Sequence, residues 1–171
     1  VLVGDYLLSQ GMMLSLENND FELLRIVSQA VKEMSEGELL QIEKARRLDV
    51  EESVYFDIIQ KKTASLIASC CAVGAASTGA DSEMINKMKI FGSYVGITYQ
   101  NKDDIFDLED TRQIGKPTRI EKKKKKMTLP LIYLLNNSSK SDKRTIINLV
   151  KNHHDNPRKV KEVVEMVRGS G

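Results

Sequence analysis

Gly96-Ile97-Thr98-Tyr99-Gln100-Asn101-Lys102-Asp103-Asp104-Ile105-Phe106-Asp107, followed closely by Gly115-Lys116-Pro117, is the stretch on which the reading of this chain turns. It puts an Asp-Asp-x-x-Asp cluster at the end of an apolar, glycine-containing helical run. On a helix, Asp103 and Asp107 stand four residues apart and project from one face. Two carboxylates held that way call for something cationic between them. Hard oxygen ligands in ones and twos, leaving room for phosphate oxygens, are the usual way to hold Mg²⁺. At about 100° per residue, Gly92, Gly96, Gln100, Asp103 and Asp107 fall within an arc of roughly 80°. Each helical glycine costs about 1 kcal/mol against alanine, so two on one face imply close approach by another helix or a ligand. On these residues alone, two glycines easing helix packing and a solvated acidic end remain the plain alternative. Carboxylates at a helix C-terminus oppose the macrodipole, which favours a compensating cation. An EF-hand is excluded, since neither its glycine nor its terminal glutamate stands in place.

The rest of the chain supports a helical protein. It has 171 residues, 41% hydrophobic and 29% charged, with three prolines and no tryptophan. That length is enough for one core. A net charge of +2 does not by itself call for nucleic acid or a membrane surface. No apolar run of about 18 residues crosses a membrane, and no signal peptide opens the chain, so a cytoplasmic protein is expected. Cys70 and Cys71 are adjacent, which suits neither a disulfide framework nor a zinc site. They read as small, buried core residues in a reducing compartment. His153 and His154, also adjacent, read as an exposed loop or helix end rather than a metal site.

Along the chain, apolar spacing predicts a helix over 2–16, with Val3, Leu7 and Leu14 on one stripe. A turn is expected at Asn18-Asn19-Asp20. A second helix is expected from about 20 to 35, interrupted at Gly37 and continued from Leu39 to Ala45. Ser53 to Ser77 is apolar nearly all round and should be buried centrally. Thr78-Gly79-Ala80-Asp81 reads as a loop and N-cap before a helix over about 82–108. Residues 109–126 hold five consecutive lysines (Lys122 to Lys126) and no apolar period, so a mobile basic loop is expected. Met127–Asn136, Lys143–Lys151 and Arg158–Arg168 read as three shorter helices. The expectation is all-α, one domain of antiparallel helices over 1–171, without internal repeats.

Five motifs in order resemble the trans-isoprenyl diphosphate synthase (polyprenyl synthetase) family. Gly4-Asp5-Tyr6-Leu7-Leu8 looks like the opening of a central helix in that family. Gly37-Glu38-Leu39-Leu40-Gln41 is similar to its G-E-x-x-Q segment, and Lys62-Thr63-Ala64 to its K-T-A motif. Tyr99-Gln100 with Asp103-Asp104-x-x-Asp107 resembles its second aspartate-rich motif. Gly115-Lys116-Pro117 and Lys126-Met127-Thr128-Leu129-Pro130 look like the pair after it. The resemblance implies an isoprenoid-synthase-type antiparallel helical bundle around a deep central cavity. It also implies Mg²⁺-dependent head-to-tail condensation of isopentenyl diphosphate with an allylic diphosphate. The allylic group would leave as a carbocation and the isopentenyl double bond would attack it. By the same resemblance Asp103, Asp104 and Asp107 are the metal ligands. Lys62, Thr63, Gln100, Lys116 and Lys126 contact the allylic diphosphate or the metal's water, with Lys62, Gln100 and Asp103 carrying the chemistry. Lysine suits this role as a point charge on oxyanions.

The departures are equally specific. The family's first aspartate-rich motif, its arginines and its isopentenyl-binding Lys-Arg-His set are not among these residues. The expectation is therefore a fragment, the central and C-terminal part of such a domain, inactive alone. Arg119-Ile120-Glu121 stands where the family usually shows Gly-x-Asp, and Tyr99 stands for its phenylalanine. A homodimer and an octaprenyl-like product are expected by resemblance. The alternatives are a non-catalytic subunit of a heteromeric prenyl synthase and a terpene cyclase relative, though the cyclase's usual second metal motif is not present. A nucleic-acid role for the lysine run has no interleaved aromatics to support it.

Overall fold

The computed structural model describes residues 1–45, 51–106, 128–153 and 156–170. They form eight α-helices and one π-helical segment, with no strand among the described residues. The helices are α1 (Leu2–Glu17), α2 (Phe21–Ala45), α3 (Glu52–Ile59), α4 (Ser65–Ser77), α5 (Ser82–Phe106), α6 (Leu129–Asn137), α7 (Lys140–Asn152) and α8 (Pro157–Gly169), with the π segment Gln60–Ala64 joining α3 to α4. The all-α expectation holds. Helix ends use local chemistry. Asn19 takes the left-handed conformation (φ 60°) in the turn after α1, a conformation that asparagine tolerates well. The Asp81 carboxylate accepts from the Met84 N–H at 2.8 Å to start α5, and Ser139 and Asn156 cap α7 and α8.

The chain divides into two compact units. One comprises Val1–Glu38 with Ile59–Ile97, the other Leu39–Ile58 with Thr98–Gly171, and α2, α3 and α5 contribute to both. In the first unit the packing is built on small residues. Ala64, Ala68 and Ala72, spaced by four, are buried together with Ser65 and Ser69. A Cβ on Gly96 would lie 2.5 Å from the Ala64 Cα, and one on Gly92 2.8 Å from the Ala68 Cα. The glycine stripe read from the sequence is thus a helix-packing stripe: α5 closes on α4 and the π segment until only hydrogen fits between the backbones.

The expectations for Gly37 and for Ser53–Ser77 need correction here. Gly37 does not interrupt α2, which runs unbroken from Phe21 to Ala45. Its lack of a side chain serves packing instead, since a Cβ there would meet the Lys62 backbone nitrogen at 2.8 Å. Ser53–Ser77 is not buried all round, because the alanine ridge takes only one face. Leu66 is 46% exposed, and Cys70, two residues from both Ala68 and Ala72, lies on the other side and is exposed, with Cys71 half-buried. The helix expected over 2–16 is α1; none of its residues is buried, and Leu2, Val3, Leu7, Leu14 and both methionines are exposed.

Glycine without a packing role costs stability. Gly74 is exposed within α4, and a Cβ there meets nothing within 4 Å. Gly74→Ala should therefore stabilise the protein by about 0.5–1 kcal/mol, read as a higher urea midpoint.

In the second unit a core of Leu131, Leu134, Leu135, Ile146 and Val167 joins α6, α7 and α8, with Ile147, Val150, Val163 and Met166 packed against it. Here the helices are amphipathic and the apolar spacing read from the sequence is the buried face.

Candidate functional site: the acidic end of helix α5

The candidate site is built on the last turns of α5. Asp104 is completely buried, the one charged side chain that is so among the described residues. Burying a carboxylate is costly unless donors replace its water. Two side chains do so. The Tyr55 hydroxyl donates to Asp104 Oδ2 at 2.8 Å, and Gln100 Nε2 donates to Oδ1 at 3.0 Å. The tyrosine oxygen also lies 3.1 Å from Asn101 Oδ1. Tyr55 is 4% exposed, and the Phe56 ring stands edge-on to it at 5.4 Å. Burial first, and then the Asp104 and Asp103 carboxylates, push the Tyr55 phenol well above its ordinary pKa, so it remains a donor throughout the physiological range.

Asp103 is half-buried, as is Gln100. The sequence stripe grouped Gln100 with Asp103. The structure gives the Gln100 amide to Asp104, one turn further along. Lys102 lies over the Phe106 ring, 5.3 Å from its centroid. Tyr99 is 63% exposed. Asp107, Lys116, Glu121, Lys126, His154 and the expected basic loop 109–126 lie outside the described residues.

The K-T-A residues belong to the other unit. Lys62 and Thr63 sit in the π segment and are half-buried. A π turn inside a helix shifts the phase of the turns after it, and such turns recur at functional positions. Lys62 Nζ pairs with Glu38 at 2.6 Å, both side chains more than a third exposed, which makes this a weak, exchangeable pair. Gly37 packs on the Lys61-Lys62 backbone. The G-E-x-x-Q and K-T-A segments are therefore joined in space through Gly37 and Glu38. Beside them, Gln60 and Ser93 exchange hydrogen bonds at 2.9 and 3.1 Å.

Mg²⁺ takes one or two carboxylates and completes its shell with phosphate oxygens and water. Asp103, half-buried at the end of α5, is a donor of that kind. Asp104 offers a carboxylate already held by two donors, with no exposed surface. The described residues hold no cluster of three or more His, Cys, Asp or Glu. The described part of the donor set fits a shared metal–phosphate site. Sequence reading missed Tyr55. A tyrosine flanked by the apolar Val54 and Phe56 was the available signal, because a buried phenol needs a polar partner.

Helices throughout the described residues, with carboxylates at the end of α5 and Lys62 in a π segment, define a helical protein suited to a polyanionic ligand. The chain belongs to the polyprenyl synthetase family, whose profile matches residues 1–167. It is 37% identical to geranylgeranyl pyrophosphate synthase from Bacteroides thetaiotaomicron, with a TM-score of 0.86 over 100% of this chain and 57% of that one. A polyprenyl synthase from Caulobacter crescentus CB15, solved with calcium and isoprenyl diphosphate, is 30% identical with a TM-score of 0.85, covering 100% of this chain and 52% of that one. Heptaprenyl diphosphate synthase component 2 of Bacillus subtilis (strain 168) is 35% identical over 146 residues, covering 85% of this chain and 42% of that protein. The chain spans about half the length of the curated relatives it matches. Among the described residues no helix is long and apolar enough to cross a membrane.

Proposed function

We propose that this chain supplies one metal- and diphosphate-binding wall of a trans-prenyltransferase that condenses isopentenyl diphosphate with an allylic diphosphate. The observation that carries the reading is the acidic end of α5, where Asp103 stands beside a fully anchored Asp104. The Caulobacter crescentus polyprenyl synthase, complexed with calcium and isoprenyl diphosphate, supports a divalent metal and a diphosphate as the ligands. Asp103 and Asp107 then hold Mg²⁺, with Asp104 assisting from behind. Mg²⁺, when bound, would neutralise charge on the departing pyrophosphate. Lys62, Thr63, Gln100, Lys116 and Lys126 contact the diphosphate or the metal's water. Lys62 would exchange the Glu38 carboxylate for phosphate oxygens, a step made easy by the exposure of that pair. The residues 1–171 act as part of one polyprenyl synthetase domain in a cytoplasmic protein. The exposed apolar side chains of α1 favour an assembly, which we take to be a homodimer.

Incubated with Mg²⁺, isopentenyl diphosphate and an allylic diphosphate, the 171 residues alone should release no pyrophosphate and form no longer diphosphate. The first aspartate-rich motif is not among them. Turnover by the chain alone would overturn this part of the reading. The name of the Bacillus subtilis relative, component 2, favours a second version in which the chain works with a different polypeptide. Turnover restored only by a distinct polypeptide carrying the first motif would select that version.

A further inference from the structure

The buried contact between α3 and the end of α5 has no counterpart among the expected site residues. We propose that Tyr55 is a positioning residue: its hydrogen bond to Asp104 holds the last turn of α5 so that the neighbouring Asp103 is aimed at the metal. The inference rests on the reading of Asp103 as a ligand and names a further residue for that site. Helix C-terminal turns lack intrahelical partners for their carbonyls and fray readily. This one also carries carboxylates that oppose the macrodipole, and no basic residue lies in its last described turn. A contact from another helix steadies such a turn. Tyr55 reaches it from a different helix, 49 residues away in sequence, at 2.8 Å. Gln100 fixes the other carboxylate oxygen from within α5. With Asp104 fixed at both oxygens, the helical phase of Asp103 is set, since adjacent residues are about 100° apart. Losing a partner that orients a metal's ligand typically weakens metal affinity by roughly 10- to 100-fold.

The test compares the whole chain with its Tyr55→Phe, Asp104→Asn and Leu149→Ala variants. Leu149 is buried in α7 and takes no part in the Tyr55–Asp104 hydrogen bond, so its variant controls for a general loss of stability. Mn²⁺ with inorganic pyrophosphate is the probe, followed by electron paramagnetic resonance, alongside amide hydrogen exchange of residues 101–106. Tyr55→Phe should weaken bound Mn²⁺ by about 10-fold and speed exchange in residues 101–106. Asp104→Asn, which keeps an acceptor for the tyrosine, should be milder in exchange. Leu149→Ala should change neither readout. A folded Tyr55→Phe with wild-type Mn²⁺ affinity overturns the proposal, whatever its melting temperature. Should the wild-type chain hold no Mn²⁺ with pyrophosphate, the metal-site reading fails. In that case equal exchange in Tyr55→Phe and wild type overturns the positioning role separately.

Discussion

Gly96→Val should lower the stability of the protein by about 3 kcal/mol or more, the upper end of overpacking costs. The Cβ alone would sit 2.5 Å from the Ala64 Cα and 2.9 Å from its Cβ. Neither atom is the tip of a flexible side chain that can swing aside. Relief requires α5 to move off the π segment, which would open the contact of Gly92 on Ala68 as well. Helix propensity favours the substitution by a few tenths of a kcal/mol, too little to matter. Urea denaturation followed by far-ultraviolet circular dichroism measures the effect. The contrast with Gly74→Ala, expected to stabilise, separates loss of the packing stripe from a general response to removing glycine. A Gly96→Val protein as stable as wild type would mean that α5 does not approach Ala64 this closely.

Tyr55→Phe should cost about 1.5–3 kcal/mol, the range for losing a hydrogen bond to a charged group. The loss leaves Asp104, which has no exposed surface, with one donor fewer. The effect depends on pH with a definite sign. Folding raises the phenol's pKa, so the native state holds this proton more tightly than the unfolded chain does. The stabilising contribution is complete below the ordinary tyrosine pKa of about 10 and fades as pH rises above it. In an alkaline absorbance titration, one phenol of the native protein should ionise only as the protein unfolds, and Tyr55→Phe should abolish that late step. The stability difference between wild type and Tyr55→Phe should shrink above about pH 10.

Much of the fold was legible because helix ends and apolar periods are local. The turn at Asn18–Asp20, the cap at Asp81 and the three short C-terminal helices depend on residues within one turn of each end. Which surfaces meet could not be read in the same way. Gly37 looks the same in sequence whether it breaks a helix or admits a neighbour, and only the Lys62 backbone beside it decides. Cys70 is exposed because the alanine ridge takes the other face, which periodicity in an all-apolar segment cannot reveal. The site shows the same division. The acidic cluster at the end of α5 was visible in the sequence. The partner of its buried member, Tyr55, stands 49 residues away, and no spacing rule reaches that far.

Isothermal titration of the chain with an allylic diphosphate, with and without Mg²⁺, in wild type and in Asp103→Ala and Asp107→Ala, bears most directly on the metal–diphosphate wall. Binding should need Mg²⁺ and be lost in either variant. Mg²⁺-independent binding, or binding indifferent to both substitutions in folded protein, would contradict the assignment of that wall to the α5 end.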